Sequence, residues 1–135
     1  MNRPGVVGVL VVVAALGFGW IGPSLAQSGF PFDQELLLDA KPMRNSKRVP
    51  SLEVTADGQA MIDLWCKSGS GQVVVAAQTI TIIPGPMSEQ SCAPERAQGD
   101  DDMLAGLTQV TTWRREGDVL VLIGPRVLRF RLATN

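Results

Sequence analysis

The stretch from Leu52 to Cys92 carries the most regular strand-like pattern in the chain and both of its cysteines. In Ser51–Thr55 and again in Ala60–Cys66, apolar residues alternate with polar ones, as in strands that are buried on one face only. Asp57-Gly58 separates the two runs, and both residue types tolerate the backbone of a tight turn. This part of the chain therefore predicts an antiparallel hairpin with Cys66 at the end of its second strand, on the core side.

The second half of the stretch predicts two more strands. Val73–Val75 and Thr79–Ile83 are rich in β-branched residues, and Ile80 and Ile82 fall on one face of the second run. Pro84-Gly85-Pro86 is expected to end that strand. Lys67–Gly71 is glycine-rich but lacks the length, the closing Lys-Ser/Thr pair and the following helix of a phosphate-binding loop, so we interpret it as a hairpin connection.

The amino terminus has the features of a secretory signal peptide. Met1-Asn2-Arg3 is followed by the apolar run Val6–Phe18, and Ser24-Leu25-Ala26 places small residues where a signal peptidase acts. Cleavage is predicted between Ala26 and Gln27, which makes the protein periplasmic or secreted. The alternative is an uncleaved membrane anchor, in which case this segment alone would contact the membrane.

Export determines how the two cysteines are interpreted. A pair of cysteines in an oxidising compartment favours a disulfide, whereas a metal or redox site is poorly supported without histidine or CxxC spacing. A bridge between Cys66 and Cys92 would stabilise the fold by roughly 3 kcal/mol through the loop that it closes.

The domain organisation follows from these features. Residues 1–26 form the predicted signal peptide, 27–50 a leading segment with a first strand or helical turn, and 51–135 the β-rich domain, so that 27–135 is one exported domain. The leading segment carries a basic group that we interpret as a solvated loop, with contact to an anionic surface as the alternative: Lys41, Arg44, Lys47 and Arg48.

The carboxyl-terminal third predicts a helix and a hairpin. Asp100-Asp101-Asp102 precedes apolar residues at helical spacing, so we expect these acids to cap a helix near residues 100–110. Glu116-Gly117-Asp118 predicts a turn, and Val127–Leu132 a last strand. The fold class is therefore α+β, mainly antiparallel β, with about seven short strands in a curved sheet or small barrel and one packed helix.

Composition excludes several classes of function. The net charge is −1, which argues against a dedicated nucleic-acid binder. The chain has no histidine, and so lacks the commonest general base and metal ligand. We expect no cofactor, no metal and no enzymatic activity. The one local catalytic hypothesis places Ser68 or Ser70 beside Lys67 as a serine–lysine pair.

Aromatic and arginine residues give a candidate interaction surface because such residues dominate binding hot spots. Arg129 and Arg131 are expected to point outward from the last strand. There they would either bind an anionic ligand or, as we favour, protect an exposed edge strand from pairing. The full candidate surface consists of Trp65, Trp113, Arg114, Arg115, Arg129 and Arg131.

The chain resembles the META domain found in HslJ-type bacterial envelope proteins. The resemblance rests on LEVTADGQAMIDLWC (Leu52–Cys66), Ser91-Cys92, LAGLTQV (Leu104–Val110), EGDVLVL (Glu116–Leu122) and LRFRL (Leu128–Leu132), and covers residues 32 to 132. It implies a compact mixed-β fold with one packed helix, an envelope location, and links to stress or drug tolerance. It implies no catalytic residues.

The preferred function is thus a non-catalytic exported module that binds an unknown envelope protein. An inhibitor of exported proteases is the alternative, with Pro84–Pro94 as the inserted loop. A small hydrolase and a carrier of lipophilic ligands rank lower, and the carrier would need a cavity inside the barrel. Oligomeric state does not follow from the sequence.

Overall fold

The computed structural model describes Gly19 and residues 29–134, so the predicted signal peptide and the Ala26–Gln27 cleavage site lie outside the described residues. The described part forms eight antiparallel strands and one helix: β1 (Glu35–Leu38), β2 (Ser51–Val54), β3 (Gln59–Asp63), β4 (Lys67–Ala76), β5 (Thr79–Glu89), α1 (Pro94–Gln109), β6 (Thr112–Glu116), β7 (Val119–Ile123) and β8 (Val127–Leu132). Each strand pairs with the next along the chain and β8 pairs with β1, which closes a barrel. The predicted fold class is confirmed.

The barrel interior is filled by the apolar half of each alternating strand. As predicted, Ile80 and Ile82 face inward, whereas Thr79 and Thr81 are exposed. Large apolar side chains of the core are almost completely buried, among them Leu36, Leu52, Ile62, Leu120, Leu122 and Phe130. Side chains occupy the space that a lipophilic ligand would need in a small barrel.

The short apolar run Glu35–Leu38 is a strand rather than a helical turn, and it closes the barrel. Leu36 pairs with Leu52 of β2 on one side and with Leu132 of β8 on the other. Strand β8 therefore has a neighbour on both sides, β7 and β1. The interpretation of Arg129 and Arg131 as guards of an exposed edge is wrong, because β8 has no free edge.

The glycine-rich segment Lys67–Gly71 is the start of β4 and not a turn. The chain turns earlier, at residues 64–66. Gly69 and Gly71 instead allow β4 and β5 to approach closely, since a Cβ on Gly71 would lie 2.5 Å from the carbonyl oxygen of Ile83. The ladder shifts register between Gly69 and Gly71, which marks a β-bulge.

Strand β5 does not end at Pro84-Gly85-Pro86, as the sequence suggested, but continues to Glu89. The bulge accommodates these residues because the extra residue interrupts the regular ladder, where proline is tolerated. Most of Pro84–Pro94 is therefore paired strand, with a short link before α1. The expected inhibitory loop does not exist in that form.

Helix α1 begins at Pro94, one and a half turns before the aspartates that were expected to cap it. Its N-cap is Ala93 without a side-chain cap hydrogen bond, and proline occupies the first turn. The capping interpretation of Asp100-Asp101-Asp102 is wrong because these residues lie in the middle of the helix. Within the described part of the chain, no helix is long and apolar enough to cross a membrane.

Candidate interaction surfaces

The carboxylate of Asp100 is buried completely and fixes the turn between β3 and β4. Its Oδ1 accepts a hydrogen bond from the backbone N–H of Trp65 at 2.8 Å. Its Oδ2 accepts from the N–H groups of Cys66 at 2.9 Å and Lys67 at 2.8 Å. Asp100 shows 0% exposure. These bonds from consecutive amides offset the cost of burying a charge, and they join the helix to the turn. We call Asp100 and Trp65–Lys67 the turn clamp.

The role of Asp100 was missed although the sequence carries a signal for it. Asp100 precedes Met103 by three residues and Leu107 by seven, so helical spacing places it on the same face as these two buried side chains. An acid at an apolar position of that face indicates a buried carboxylate with backbone partners. The triple aspartate obscured this signal because acids near a helix start usually act as caps.

The predicted disulfide is confirmed and lies beside the turn clamp. Cys66 and Cys92 are bonded, with Cα atoms 6.1 Å apart. Next to them, the Lys67 ammonium group contacts Asp101 at 2.7 Å and Glu89 at 3.2 Å. The hydrogen bond to Asp101, and then that to Glu89, raise the pKa of Lys67 above its ordinary value. A covalent bond, a buried carboxylate and ion pairs thus hold one short turn to β5 and α1.

These contacts bear on the hypothesis of a serine–lysine pair. Lys67 binds two carboxylates, and a raised pKa keeps its side chain protonated near neutral pH, so that less free amine is present to act as a base. The Ser68 hydroxyl lies 3.2 Å from the hydroxyl of Ser88. The three amides of the turn already donate to Asp100 and are therefore not free to stabilise an oxyanion. The described part of the chain also contains no cluster of three or more Cys, Asp or Glu residues able to hold a metal ion.

The two tryptophans of the candidate surface are not free surface residues. Trp113 is 7% exposed, and its ring meets that of Phe30 edge to face at 5.3 Å. It belongs to the core, which corrects the prediction that it is an exposed anchor. Trp65 is half-buried and packs against the core cluster. Both indole nitrogens are buried and have no acceptor among the residues described.

Three of the four arginines of the candidate surface form ion pairs on the outside of the barrel. Arg114 and Arg129 both bind the Glu116 carboxylate, at 2.9 and 3.2 Å, and Arg131 contacts Asp39 at 3.3 Å. Arg115 is half-buried and donates to the backbone carbonyls of Gly117 and Gly29. The structure therefore separates Arg115 from the exposed arginines.

Glu116, Arg114 and Arg129 form a cluster, the Glu116 cluster, that covers an apolar position outside the core. Val121 faces away from the core yet is fully buried, and it pairs in register with Arg114 and Arg129 on its two sides. The hydrogen bond from Arg114, and then that from Arg129, lower the pKa of Glu116. This bridged pair of arginines spans the strand and shields the valine from water.

The outer face of β3, β4 and β5 carries a stretch of exposed, uncharged residues, bordered by Glu53 opposite Met61 and by Asp63 at the end of β3. Its large apolar members are Met61, Val74 and Ile83, which are 58%, 60% and 54% exposed. Val74 and Ile83 are diagonal neighbours, since Gln72 pairs with Ile83 and Val74 with Thr81. Met61 lies further along the same face, opposite Ser70. We call the following exposed residues the neutral face: Gln59, Met61, Ser70, Gln72, Val74, Ala76, Thr79, Thr81 and Ile83. Sequence analysis missed it because these residues belong to three strands whose register was unknown.

Comparison with known proteins places the chain in a family. The META domain family model matches residues 31–134, which include every strand and the helix described above. The chain belongs to the META domain family. A META domain thus accounts for the closed sheet and the helix between β5 and β6.

Comparison with solved structures gives a second result for this META domain. A structure described as an NMR structure of a protein superimposes with a TM-score of 0.56 at 15% sequence identity, over 73% of this chain and 88% of the other. At that identity, the likeness shows a shared fold alone. The comparison with curated proteins returned no match.

Proposed function

We propose that this META domain protein is a non-catalytic, exported envelope module that binds another protein through the neutral face. The observation that carries the proposal is the exposure of Met61, Val74 and Ile83 on paired strands without a charged residue among them. Exposed apolar residues grouped on one face of a folded domain are typical of interaction sites. Depletion of charge is the compositional signal of an interface centre.

The rest of the molecule supports this choice of face. Outward residues of β6 and β8 carry ion pairs, which suit a solvated surface. The neutral face has no such pairs, so an apolar partner surface can cover it without removing a charge from water. Strand β4 is paired on both sides over this region, whereas β5 pairs with β6 only at Thr79. The proposed partner contacts the side chains of the neutral face, most of which lie on β3 and β4.

Export is part of the proposal and has support from the disulfide. A bridge between Cys66 and Cys92 is compatible with an oxidising compartment. Amino-terminal sequencing of the mature protein should begin at Gln27, whereas a start at Met1 would indicate a retained anchor. The biological setting that we propose is envelope stress or drug tolerance, as in HslJ-type proteins. A strain that produces only the Val74→Lys variant should then be as sensitive to envelope stress and drugs as a strain from which the gene is deleted.

The partner can be tested by affinity purification from cells that export the full chain. Val74→Lys places a charge at the centre of the neutral face, and Val127→Lys is a matched control because Val127 is 57% exposed on β8. Quantitative mass spectrometry should find one stoichiometric protein with the wild type and with Val127→Lys, and lose it with Val74→Lys. Equal recovery with Val74→Lys, or recovery of this chain alone, would contradict the proposal.

A further inference from the structure

A groove of about 320 Å³ lies away from the neutral face, where the ends of β1 and β8 meet helix α1 and the β3–β4 turn. Its apolar wall is formed by Leu38, Ala40, Trp65, Met103 and Leu128. This volume falls at the small end of the range for sites that bind small molecules, and such sites combine an apolar wall with a few polar groups.

The polar groups of the groove leave one cation available. Arg129 is engaged by Glu116, and the Asp39 carboxylate by Arg131. The Arg126 side chain donates to the backbone carbonyl of Asp102 at 3.2 Å, and none of the ion pairs within the described residues includes it. Its remaining N–H groups can meet a planar anionic group at the mouth of the groove.

The loop that borders the groove adds positive charge. It follows Ala40 and folds back onto the helix, because Met43 lies with Trp65 against Gly99. The loop carries cations for which no ion pair within the described range is recorded: Lys41, Arg44, Lys47 and Arg48. The whole chain carries a net charge of −1, so this excess of positive charge is confined to the loop beside the apolar wall. It would attract an anion toward the groove.

We infer that this groove binds an anionic amphiphile, with a carboxylate or phosphate headgroup at Arg126 and an apolar chain along Trp65 and Met103. The ligand can come from two sources with the same chemistry, a free amphiphile or a membrane lipid. The site lies on the outside of the barrel, so it needs no cavity in the packed core.

The test uses decyl phosphate, kept below its micelle concentration, and the full chain labelled with 15N. Saturable shifts are expected at the Trp65 indole and at the Ala40, Met103 and Arg126 amides, with binding that weakens as salt rises. Arg126→Ala should weaken binding about tenfold or more, the loss expected for a hydrogen bond to a charged group. Arg114→Ala removes the same charge outside the groove and should leave the affinity within about twofold by the same reasoning.

Two further arms complete the experiment. Ala40→Phe, at an exposed position, should fill the groove and abolish the shifts while the fold is kept. If the protein binds phosphatidylglycerol vesicles through Arg126 but does not bind decyl phosphate, the ligand is a membrane lipid. If it binds decyl phosphate, the ligand is a free amphiphile. The inference is overturned by equal binding of decanol, by shifts confined to the neutral face, or by affinity that survives Arg126→Ala. None of these outcomes depends on the protein partner.

Discussion

At the scale of single residues, Asp100 shows how one side chain can organise a domain. A buried carboxylate without partners is costly, but three backbone donors surround this one. The residue therefore sets the position of the β3–β4 turn relative to the helix. Of the neighbouring aspartates, both exposed, Asp101 adds an ion pair to Lys67 of the turn, whereas Asp102 accepts a hydrogen bond from Gln98 within the helix.

Replacing Asp100 with asparagine should destabilise the protein by about 3 kcal/mol, because hydrogen bonds to charged groups are lost and an amide NH₂ faces backbone donors. Urea denaturation at neutral pH measures the change. Asp102→Asn is the matched control, with an expected change within about 0.5 kcal/mol at an exposed helix position. Equal stability of the two variants would contradict the role assigned to Asp100.

Glu116 should make stability depend on pH in the acid range. Its pKa is lowered in the folded state, so its contribution is complete above the pKa of the unfolded chain and is lost as pH falls through the folded value. Glu116→Gln should therefore lower the free energy of unfolding near neutral pH, and the difference from the wild type should shrink as the solution is acidified. Chemical denaturation over a pH series tests this.

The control for that series is Glu35→Gln, at an exposed glutamate for which no ion pair is recorded within the described residues. Its difference from the wild type should stay small across the series. A Glu116→Gln curve that runs parallel to the wild-type curve down to acid pH would show that the arginine cluster contributes nothing.

Single residues were the hardest level to predict from the sequence. The disulfide between Cys66 and Cys92 could be inferred because the chain has only two cysteines and a predicted export signal. The burial of Trp113 could not, since it depends on contact with Phe30 from a distant segment. Asp100 required knowledge of where the helix begins.

At the scale of elements, alternation of residue type predicted most strands, whereas glycine and proline misled. Gly69, Gly71 and the Pro84-Gly85-Pro86 segment were interpreted as breaks in the chain. They lie instead in a bulged ladder in which two strands approach closely. The turn at Ala77–Gln78 between β4 and β5 has no Asn-Gly sequence signal. Ala77 itself adopts the positive φ of 52° that the turn requires.

The disulfide should contribute at the element scale by tying the β3–β4 turn to the link that precedes α1. Removing it in a Cys66→Ser/Cys92→Ser variant should cost about 3 kcal/mol, given the 26-residue separation of the cysteines. Denaturation with and without reductant measures this. The reduced wild type should match the double variant, and the variant should not respond to reductant.

Hydrogen exchange refines this prediction. After reduction, residues 90–93 should exchange faster, while the amides of Trp65, Cys66 and Lys67 stay protected because Asp100 still accepts from them. Loss of protection at both places would mean that the disulfide alone holds the turn. Unchanged exchange in residues 90–93 would mean that the disulfide does not hold this link in place.

At the scale of the whole molecule, the closed sheet determines which surfaces are available. Every strand has a neighbouring strand on each side, although β5 meets β6 only at its start. The surfaces left for recognition are the side chains of the outer face, the ends of the barrel and the edge of β5 beyond Thr79. Pairing between β5 and β6 is short, with Thr79 and Thr112 as its one register pair. Helix α1 connects these two strands along the chain. The sequence predicted the fold class but not these surfaces, because they depend on register.

Photo-cross-linking in cells that export the protein tests the proposed binding face most directly. A photoreactive residue is placed at Val74 or Ile83 on the neutral face, or at Gln98 on the exposed side of the helix. Our account predicts a covalent adduct of one size, with the same partner protein, from positions 74 and 83 and none from 98. Adducts from position 98 alone, or none from either position on the neutral face, would contradict it.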